Sequence, residues 1–163
     1  MPSSYAAEIM AECLRHVGLR ESPKGSNKGK ALAEALDLTP WQPGQAWCLY
    51  LAQAVLRNVY KAHNRTLPDH LLPLNGGCTA YRIAVENKKP SAVIRGMVSQ
   101  GAIFMLLDST GDEFHAGICC GVADFLPGHM VTFEGNVNST GSPEGWETLI
   151  RVRPINRTLI LTH

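Results

Sequence analysis

The chain has 163 residues, of which 45% are hydrophobic and 18% are charged. This composition predicts a single globular domain, residues 1–163, with a sizeable core, and it excludes an intrinsically disordered chain. The formal net charge is +1 and no long basic or acidic block occurs, so neither nucleic acid nor an anionic membrane surface is an expected partner. No stretch approaches the roughly 20 apolar residues that a membrane-spanning helix requires.

The cysteine and histidine pattern gives no sign of a metal site. Five cysteines, an odd number without CxxC pairs, exclude a full disulfide framework and favour synthesis in a reducing cytosol. A zinc site built from His115, Cys119 and His129 has poor ligand spacing, so we expect no metal and no cofactor. The N-terminus lacks the regions of a secretory signal, so action outside the cytoplasm would need another export route.

Apolar periodicity predicts helices in the first half of the chain. The first helix would be capped by Ser3 or Ser4 and would end near Gly18. Its inward stripe comprises Ile9, Met10, Cys13, Leu14 and Val17. Further helices are predicted near Ala31–Leu38, from Cys48 to Val59, and from Cys78 to about Asn87. Residues 21–29 form a polar loop rich in turn formers.

The second half of the chain has the character of short antiparallel strands. The β-favouring runs are 103–107, 114–122, 130–137, 148–152 and 159–161. Gly, Pro, Asp and Asn signals separate these runs at hairpin-like spacing. Helices followed by antiparallel strands predict an α+β fold, in which the helix that begins at Cys48 packs on a C-terminal antiparallel sheet.

Cys48 stands at the start of the most apolar helix. It follows the turn Pro43-Gly44, and it lies at the head of the stripe formed by Leu51, Val55 and Val59. A cysteine at a helix N-terminus is placed where the helix dipole stabilises a thiolate. Position alone leaves a second interpretation open, because free cysteine is also among the most buried residue types.

A base and an orienting group for this cysteine are available on two of the predicted strands. His115 opens a strand and is followed on its own face by Gly117, which leaves room beside the ring. Alternation places Glu134 and Asn136 on one face of the next strand. They could face solvent, but strands packed on the helix would bring a histidine and a carboxylate to the cysteine.

These residues resemble the CHAP family, the cysteine, histidine-dependent amidohydrolases/peptidases of papain-like fold that cut amide bonds in peptidoglycan. The resemblance rests on Trp47-Cys48 after a Pro-Gly turn, His115 in a Phe-His-Ala-Gly-Ile strand, and Glu134-Gly135-Asn136. Residues 17–21 and 26–29 are similar to a segment that precedes the cysteine in a single-domain branch of the family, and residues 142–145 and 151–153 also fit. Gly101-Ala102 departs from the usual Gly-Asp pair before the histidine strand.

The resemblance implies a catalytic set in this chain. Cys48 would be the nucleophile, and His115 would take the thiol proton and later protonate the leaving amine. Glu134 would orient the imidazole ring. Asn136 corresponds to an occasional fourth member of the set, as a second orienting group or a groove contact.

The oxyanion site and the substrate groove can be assigned only as candidates. The backbone N–H of the cysteine would supply one oxyanion donor, and the side chain of Gln42 or Gln45 would supply a second. Residues that would contact substrate in the groove are Trp47, Asn27 and Glu21.

By this resemblance, the chain is expected to be a cysteine-dependent hydrolase of bacterial peptidoglycan, either an N-acetylmuramoyl-L-alanine amidase or an endopeptidase. It would be a monomer that acts at the cell wall after holin-type release or through a secretion machine. It would be either a small lysin of a phage or an antibacterial effector, and the effector would have an immunity or inhibitor protein as its partner. The alternatives are an inactive papain-like binding or assembly module and another papain-like acyl-transfer enzyme.

Overall fold

The computed structural model describes residues 5–139 and 145–163 of the chain. Its α-helices are α1 (Ala6–Arg15), α2 (Lys30–Ala35), α3 (Cys48–Ala62) and α4 (Cys78–Lys88). Its strands are β1 (Val93–Arg95), β2 (Ile103–Leu107), β3 (Glu113–Val122), β4 (His129–Val137), β5 (Glu147–Pro154) and β6 (Thr158–Leu161). Short 3-10 turns lie at Asp69–Leu71, Pro90–Ala92 and Ile155–Arg157. The helices precede the strands, which confirms the predicted α+β class.

The strands form one sheet in the order β1-β6-β2-β3-β4-β5, and all neighbours are antiparallel. β3 lies inside the sheet between β2 and β4, where Leu106 of β2 is opposite His115. The sequence does not predict β1, because Val93–Arg95 is too short to show an alternating pattern and pairs only with β6. The other five strands lie within a few residues of their predicted positions.

α3 lies at the centre of the core. Leu51, Val55 and Val59 are buried, as their spacing predicts. The burial extends further around the helix than one stripe, because α1 packs on α3 from one side while β3 and β4 contact it from the other. Ala116, Ile118 and Phe133 on the strands belong to the same apolar cluster as α3. These apolar contacts therefore hold β3 and β4 of the sheet against α3.

The first helix differs from its prediction. α1 ends at Arg15, and Leu14 and Val17 are 66% and 45% exposed, so they do not belong to its inward face. Glu12 is buried instead, where its carboxylate accepts a hydrogen bond of 2.8 Å from Asn58 Nδ2 on α3. Val17 lies beyond the helix end and cannot follow its periodicity. The predicted cap at Ser3 or Ser4 and residues 142–144 of the family resemblance lie outside the described residues.

The remaining helices agree more closely with the sequence pattern. Leu32 and Leu36 are buried, although α2 ends at Ala35 and is shorter than expected. Tyr81 and Val85 of α4 are buried, as predicted, while Ala84 is only partly covered. Within the described residues, no helix has the length and apolar character to cross a bilayer.

Candidate active site

Cys48 is the first residue of α3 and is 8% exposed. Its sulfur lies within hydrogen-bonding range of the Cys78 thiol, the His115 ring and the backbone N–H of Ala116. The hydrogen bond from Cys78 lowers the pKa of Cys48 most strongly, burial opposes this effect, and the hydrogen bond and charge of His115 lower the pKa further. The net result is a pKa well below the ordinary value of 9.0, so the site favours the thiolate form of Cys48.

His115 lies on β3 between Cys48 and a carboxylate. Its Nε2 atom is 2.9 Å from Glu134 Oε2, which leaves Nδ1 for the Cys48 sulfur. Burial alone would lower the pKa of His115, but the hydrogen bonds and negative charges of Cys48 and Glu134 raise it to about 9. The ring is therefore held as an imidazolium between two anions.

Glu134 is fully buried on β4, and besides His115 it accepts three hydrogen bonds from two side chains. Thr132 Oγ1 donates to Oε1 at 2.6 Å, Arg153 Nε donates to Oε1 at 2.7 Å, and Arg153 Nη2 donates to Oε2 at 2.6 Å. Burial would raise the pKa of Glu134, but Arg153 and His115 lower it to about 2. This bidentate ion pair fixes the carboxylate and keeps it charged.

Two glycines allow these elements to approach one another. A Cβ atom at Gly117 would meet the Phe133 carbonyl oxygen, Phe104 Cε1 at 2.8 Å and Glu134 Cγ at 3.2 Å. The predicted room beside the histidine is thus occupied by the neighbouring strand and the Glu134 side chain.

Gly135 has the corresponding role between β4 and α3. A Cβ atom there would lie 2.5 Å from Trp47 Cζ3 and 2.7 Å from Leu51 Cδ2. Glycine between Glu134 and Asn136 therefore lets the strand backbone lie directly against the start of the Cys48 helix.

Trp47 and Glu21 are buried rather than placed in a groove. Trp47 is fully covered, and its Nε1 donates to Glu21 Oε1 at 2.8 Å, while the other carboxylate oxygen accepts from the backbone N–H of Asn27 at 2.9 Å. The Asn27 carbonyl in turn accepts from Gly44 N at 2.7 Å. The loop 21–27 thus braces the turn before Cys48, which accounts for Trp47 and Glu21 without a substrate contact. Asn27 is half-buried, and its side-chain Oδ1 has no hydrogen-bond partner in the described part of the chain.

The two candidate oxyanion glutamines are exposed in the turn before the helix. Gln45 Oε1 accepts from the backbone N–H of Gln42 at 2.9 Å, and the Gln45 carbonyl accepts from Trp41 Nε1 at 2.9 Å. Within residues 5–139 and 145–163, neither side chain hydrogen-bonds to Cys48. The choice between them as oxyanion donor stays a prediction.

Asn136 does not follow the regular alternation that placed it beside Glu134. The pairing of β4 with β5 is irregular between Glu134 and Val137, and Asn136 has a φ of 57°. It is buried, and its Oδ1 has no hydrogen-bond partner among residues 5–139 and 145–163. In the described part of the chain its side chain does not hydrogen-bond to His115, whose orienting group is Glu134.

Sequence reasoning missed three residues of the site. Thr132 shares a face with Glu134 at a spacing of two, which is a usable signal. Arg153 lies on β5 opposite Met130, so its contact depends on a strand register that the sequence does not reveal. Cys78 heads a helix after a glycine pair, much as Cys48 follows a Pro-Gly turn, and this parallel could have been noticed.

The structure brings Cys48, His115 and Glu134 together, with Cys78, Thr132 and Arg153 around them. A thiolate, an imidazolium and a buried carboxylate in series can support nucleophilic attack and proton transfer. No group of three or more His, Cys, Asp or Glu residues in the described ranges is arranged to hold a metal ion. Comparisons with protein-family models, curated proteins and solved structures found no match to this chain.

Proposed function

We propose that this protein is a papain-like cysteine hydrolase that cleaves an amide bond of bacterial cell-wall peptide. The observation that carries the proposal is the buried series of Cys48, His115 and Glu134 at the start of α3. The resemblance of these residues and their neighbours to the CHAP family supports peptidoglycan as the substrate. The bond would be that of an N-acetylmuramoyl-L-alanine amidase or of an endopeptidase.

The first half of the reaction forms a thioester. The Cys48 thiolate attacks the amide carbonyl carbon, a C–S bond forms, and negative charge develops on the carbonyl oxygen. The backbone N–H of Cys48, at the start of α3, has no acceptor within the helix and is available to stabilise that charge. As the tetrahedral intermediate collapses, the C–N bond breaks and the His115 imidazolium gives its proton to the leaving amine.

The second half regenerates the enzyme. Neutral His115 takes a proton from water, which attacks the thioester carbonyl and releases the carboxylate product together with the Cys48 thiolate. Glu134 accepts a hydrogen bond from Nε2 throughout, so it holds the ring in place and favours its charged form. Arg153 and Thr132 do not touch substrate. They donate hydrogen bonds to the Glu134 carboxylate and so hold it in position beside His115.

With this substrate, the protein acts at the cell wall, either as a phage lysin or as an effector delivered to a rival bacterium. In the second case an immunity protein that covers the Cys48 site is the expected partner. Both roles use the same chemistry, so the first test concerns the reaction itself.

Cys48→Ala is expected to abolish release of new amines and peptide fragments from purified cell wall, because no other group replaces the nucleophile. The measurement is mass spectrometry of the soluble fragments after digestion by each protein. Cys13→Ala is the matched control, since Cys13 is also buried, in α1, and burial raises its pKa; this variant should digest the wall like wild type.

Equal release by wild type and Cys48→Ala would refute the proposal. Absence of fragments with wild type would favour an inactive assembly module. Transfer of the acyl group to an added amine, without hydrolysis, would indicate an acyl-transfer enzyme instead.

A further inference from the structure

Cys78 lies beside the candidate nucleophile, but no bond-making or proton-transfer step of the reaction proposed above uses its thiol. It is the first residue of α4, is 8% exposed, and lies in the same apolar cluster as Cys48. Among the described residues all five cysteines are free. The Cys48 and Cys78 side chains act on each other's pKa, and both belong to one buried cluster at the starts of α3 and α4. Each heads its own helix, so two helix N-termini meet at one pair of sulfur atoms.

The segment before Cys78 is held against the first turns of α3. Gln53 Nε2 donates to the Asn75 carbonyl at 3.0 Å. A Cβ atom at Gly76 would lie 2.5 Å from Tyr50 Cε2, so only glycine permits this approach. The meeting of the two cysteines is therefore built into the backbone rather than into one side-chain rotamer.

α4 is also fixed to the strand that carries His115. Arg82 Nε on α4 donates to Glu113 Oε1 at 2.7 Å, at the start of β3. The side chain of Glu113 is nearly covered, with an exposed fraction of 3%. The contacts of residues 75–76 fix the chain before Cys78, and the Arg82–Glu113 ion pair fixes the helix after it.

The site shifts the pKa values of the two cysteines in opposite directions. The hydrogen bond from the Cys78 thiol lowers the pKa of Cys48 and so favours the thiolate there. The hydrogen bond to Cys48 is the largest cause that raises the pKa of Cys78, followed by burial. A low-pKa thiolate beside a second thiol is the arrangement of a peroxide-sensitive cysteine with its resolving partner.

We propose that Cys48 and Cys78 close into a disulfide when a hydroperoxide reaches the site, and that this modification switches the hydrolase off reversibly. The switched-off state rests on the proposed function, because it assumes that Cys48 is the nucleophile. Formation of the disulfide does not depend on it. The chemical class of the reactant is a small hydroperoxide, such as hydrogen peroxide, because only a small molecule can reach the sulfur of a cysteine that is 8% exposed.

The chemistry balances in two steps. First, the Cys48 thiolate attacks the peroxide, an S–O bond forms, the O–O bond breaks, and hydroxide leaves; Cys48 is oxidised to sulfenic acid and the peroxide is reduced. Second, the Cys78 sulfur attacks the Cys48 sulfur, an S–S bond forms, the S–O bond breaks, and the hydroxyl group departs as water with the Cys78 proton. Oxidation of Cys48 removes the thiolate that kept Cys78 protonated, so the first step prepares the second.

The test is a peptide map of fully reduced protein treated with increasing hydrogen peroxide, then quenched with an alkylating agent in acid. Wild type should give a Cys48–Cys78 disulfide peptide that dithiothreitol converts back to two free thiols, with recovery of about nine-tenths of both. In Cys78→Ser, Cys48 should instead be oxidised to sulfinic acid, and dithiothreitol should restore less than about a tenth of the free Cys48 thiol.

Cys119→Ser is the matched control, because Cys119 is buried on β3 and should not alter the Cys48–Cys78 product. Over-oxidation of Cys48 in wild type to the same extent as in Cys78→Ser would overturn the inference, as would a disulfide between any other pair. If Cys78→Ser does not fold, the wild-type map decides alone. The experiment measures the state of the thiols and not hydrolysis. A protein that fails to cleave cell wall can therefore still confirm the Cys48–Cys78 disulfide. An active hydrolase that forms no such disulfide refutes this inference and leaves the proposed function standing.

Discussion

His115→Ala should lower kcat for cell-wall amide hydrolysis by on the order of 10⁴-fold or more. Two losses contribute to this effect. The leaving amine loses its proton donor, and Cys48 loses the hydrogen bond and charge of the ring, both of which lower the pKa of its thiol. The Cys78 hydrogen bond remains, so the pKa of Cys48 should rise without returning fully to its ordinary value. The measurements are kcat on a soluble peptidoglycan fragment and the pH profile of Cys48 alkylation.

The matched control for this variant is His63→Ala. His63 follows the end of α3, and its side chain is 41% exposed, so its removal should leave both measurements unchanged. Retention of more than about a tenth of wild-type kcat by His115→Ala would contradict a role as general acid and base, because such groups usually contribute 10²-fold or more.

Glu134→Gln should lower kcat by about 10³- to 10⁴-fold. A neutral amide can occupy nearly the same space, but it neither favours the charged imidazole ring nor fixes its orientation as a carboxylate does. The same variant should also be less stable, since the Arg153 guanidinium loses its charged partner in a largely covered position and the glutamine amide offers one acceptor oxygen in place of two. Steady-state kinetics and chemical denaturation measure the two effects separately.

The stability effect has a defined pH dependence. The pKa of Glu134 is lowered from 4.5 to about 2 in the folded protein. A carboxyl with a lowered folded-state pKa contributes stability that is fully present above pH 4.5 and is lost as the pH falls toward 2. This displacement corresponds to on the order of 3 kcal/mol. The difference in unfolding free energy between wild type and Glu134→Gln should therefore shrink across that acid window.

A second variant separates folding from catalysis. In Glu134→Gln combined with Arg153→Met, the unpaired guanidinium is removed, so much of the stability should return while kcat stays low. Recovery of kcat together with stability would show that Glu134 has only a structural role. A stability difference that does not change between pH 4.5 and 2 would contradict the buried ion pair.

Local patterns in the sequence predict the central elements of this fold well. The spacing of Leu51, Val55 and Val59 identifies α3, and the turn Pro43-Gly44 places its start at Cys48. Alternation and glycine signals locate the strands that carry His115 and Glu134. These signals suffice because each is contained within a few residues, and because one apolar helix and one sheet can bury their faces only against each other.

Features that depend on distant pairing could not be predicted. Arg153 reaches Glu134 only through the register of β4 and β5, and Cys78 reaches Cys48 only through the path of residues 75–77 along α3. Asn136 leaves the predicted alternation at an irregularity in the strand pairing. The apolar residues Leu14 and Val17 suggest a longer inward face, but Leu14 lies on the exposed face of α1 and Val17 lies beyond its last residue.

The most direct test of the account is a titration of reduced protein with iodoacetamide at pH 6.5, followed by peptide mapping and by assay of wall hydrolysis. Cys48 should be alkylated before the four other cysteines, because the pKa of its thiol is lowered whereas burial raises that of Cys13, Cys119 and Cys120, and Cys78 is held as a thiol. Residual activity should fall in proportion to the modified fraction of Cys48 and reach zero when that fraction is complete. Full activity in protein whose Cys48 is completely alkylated would contradict the assignment of Cys48 as the nucleophile.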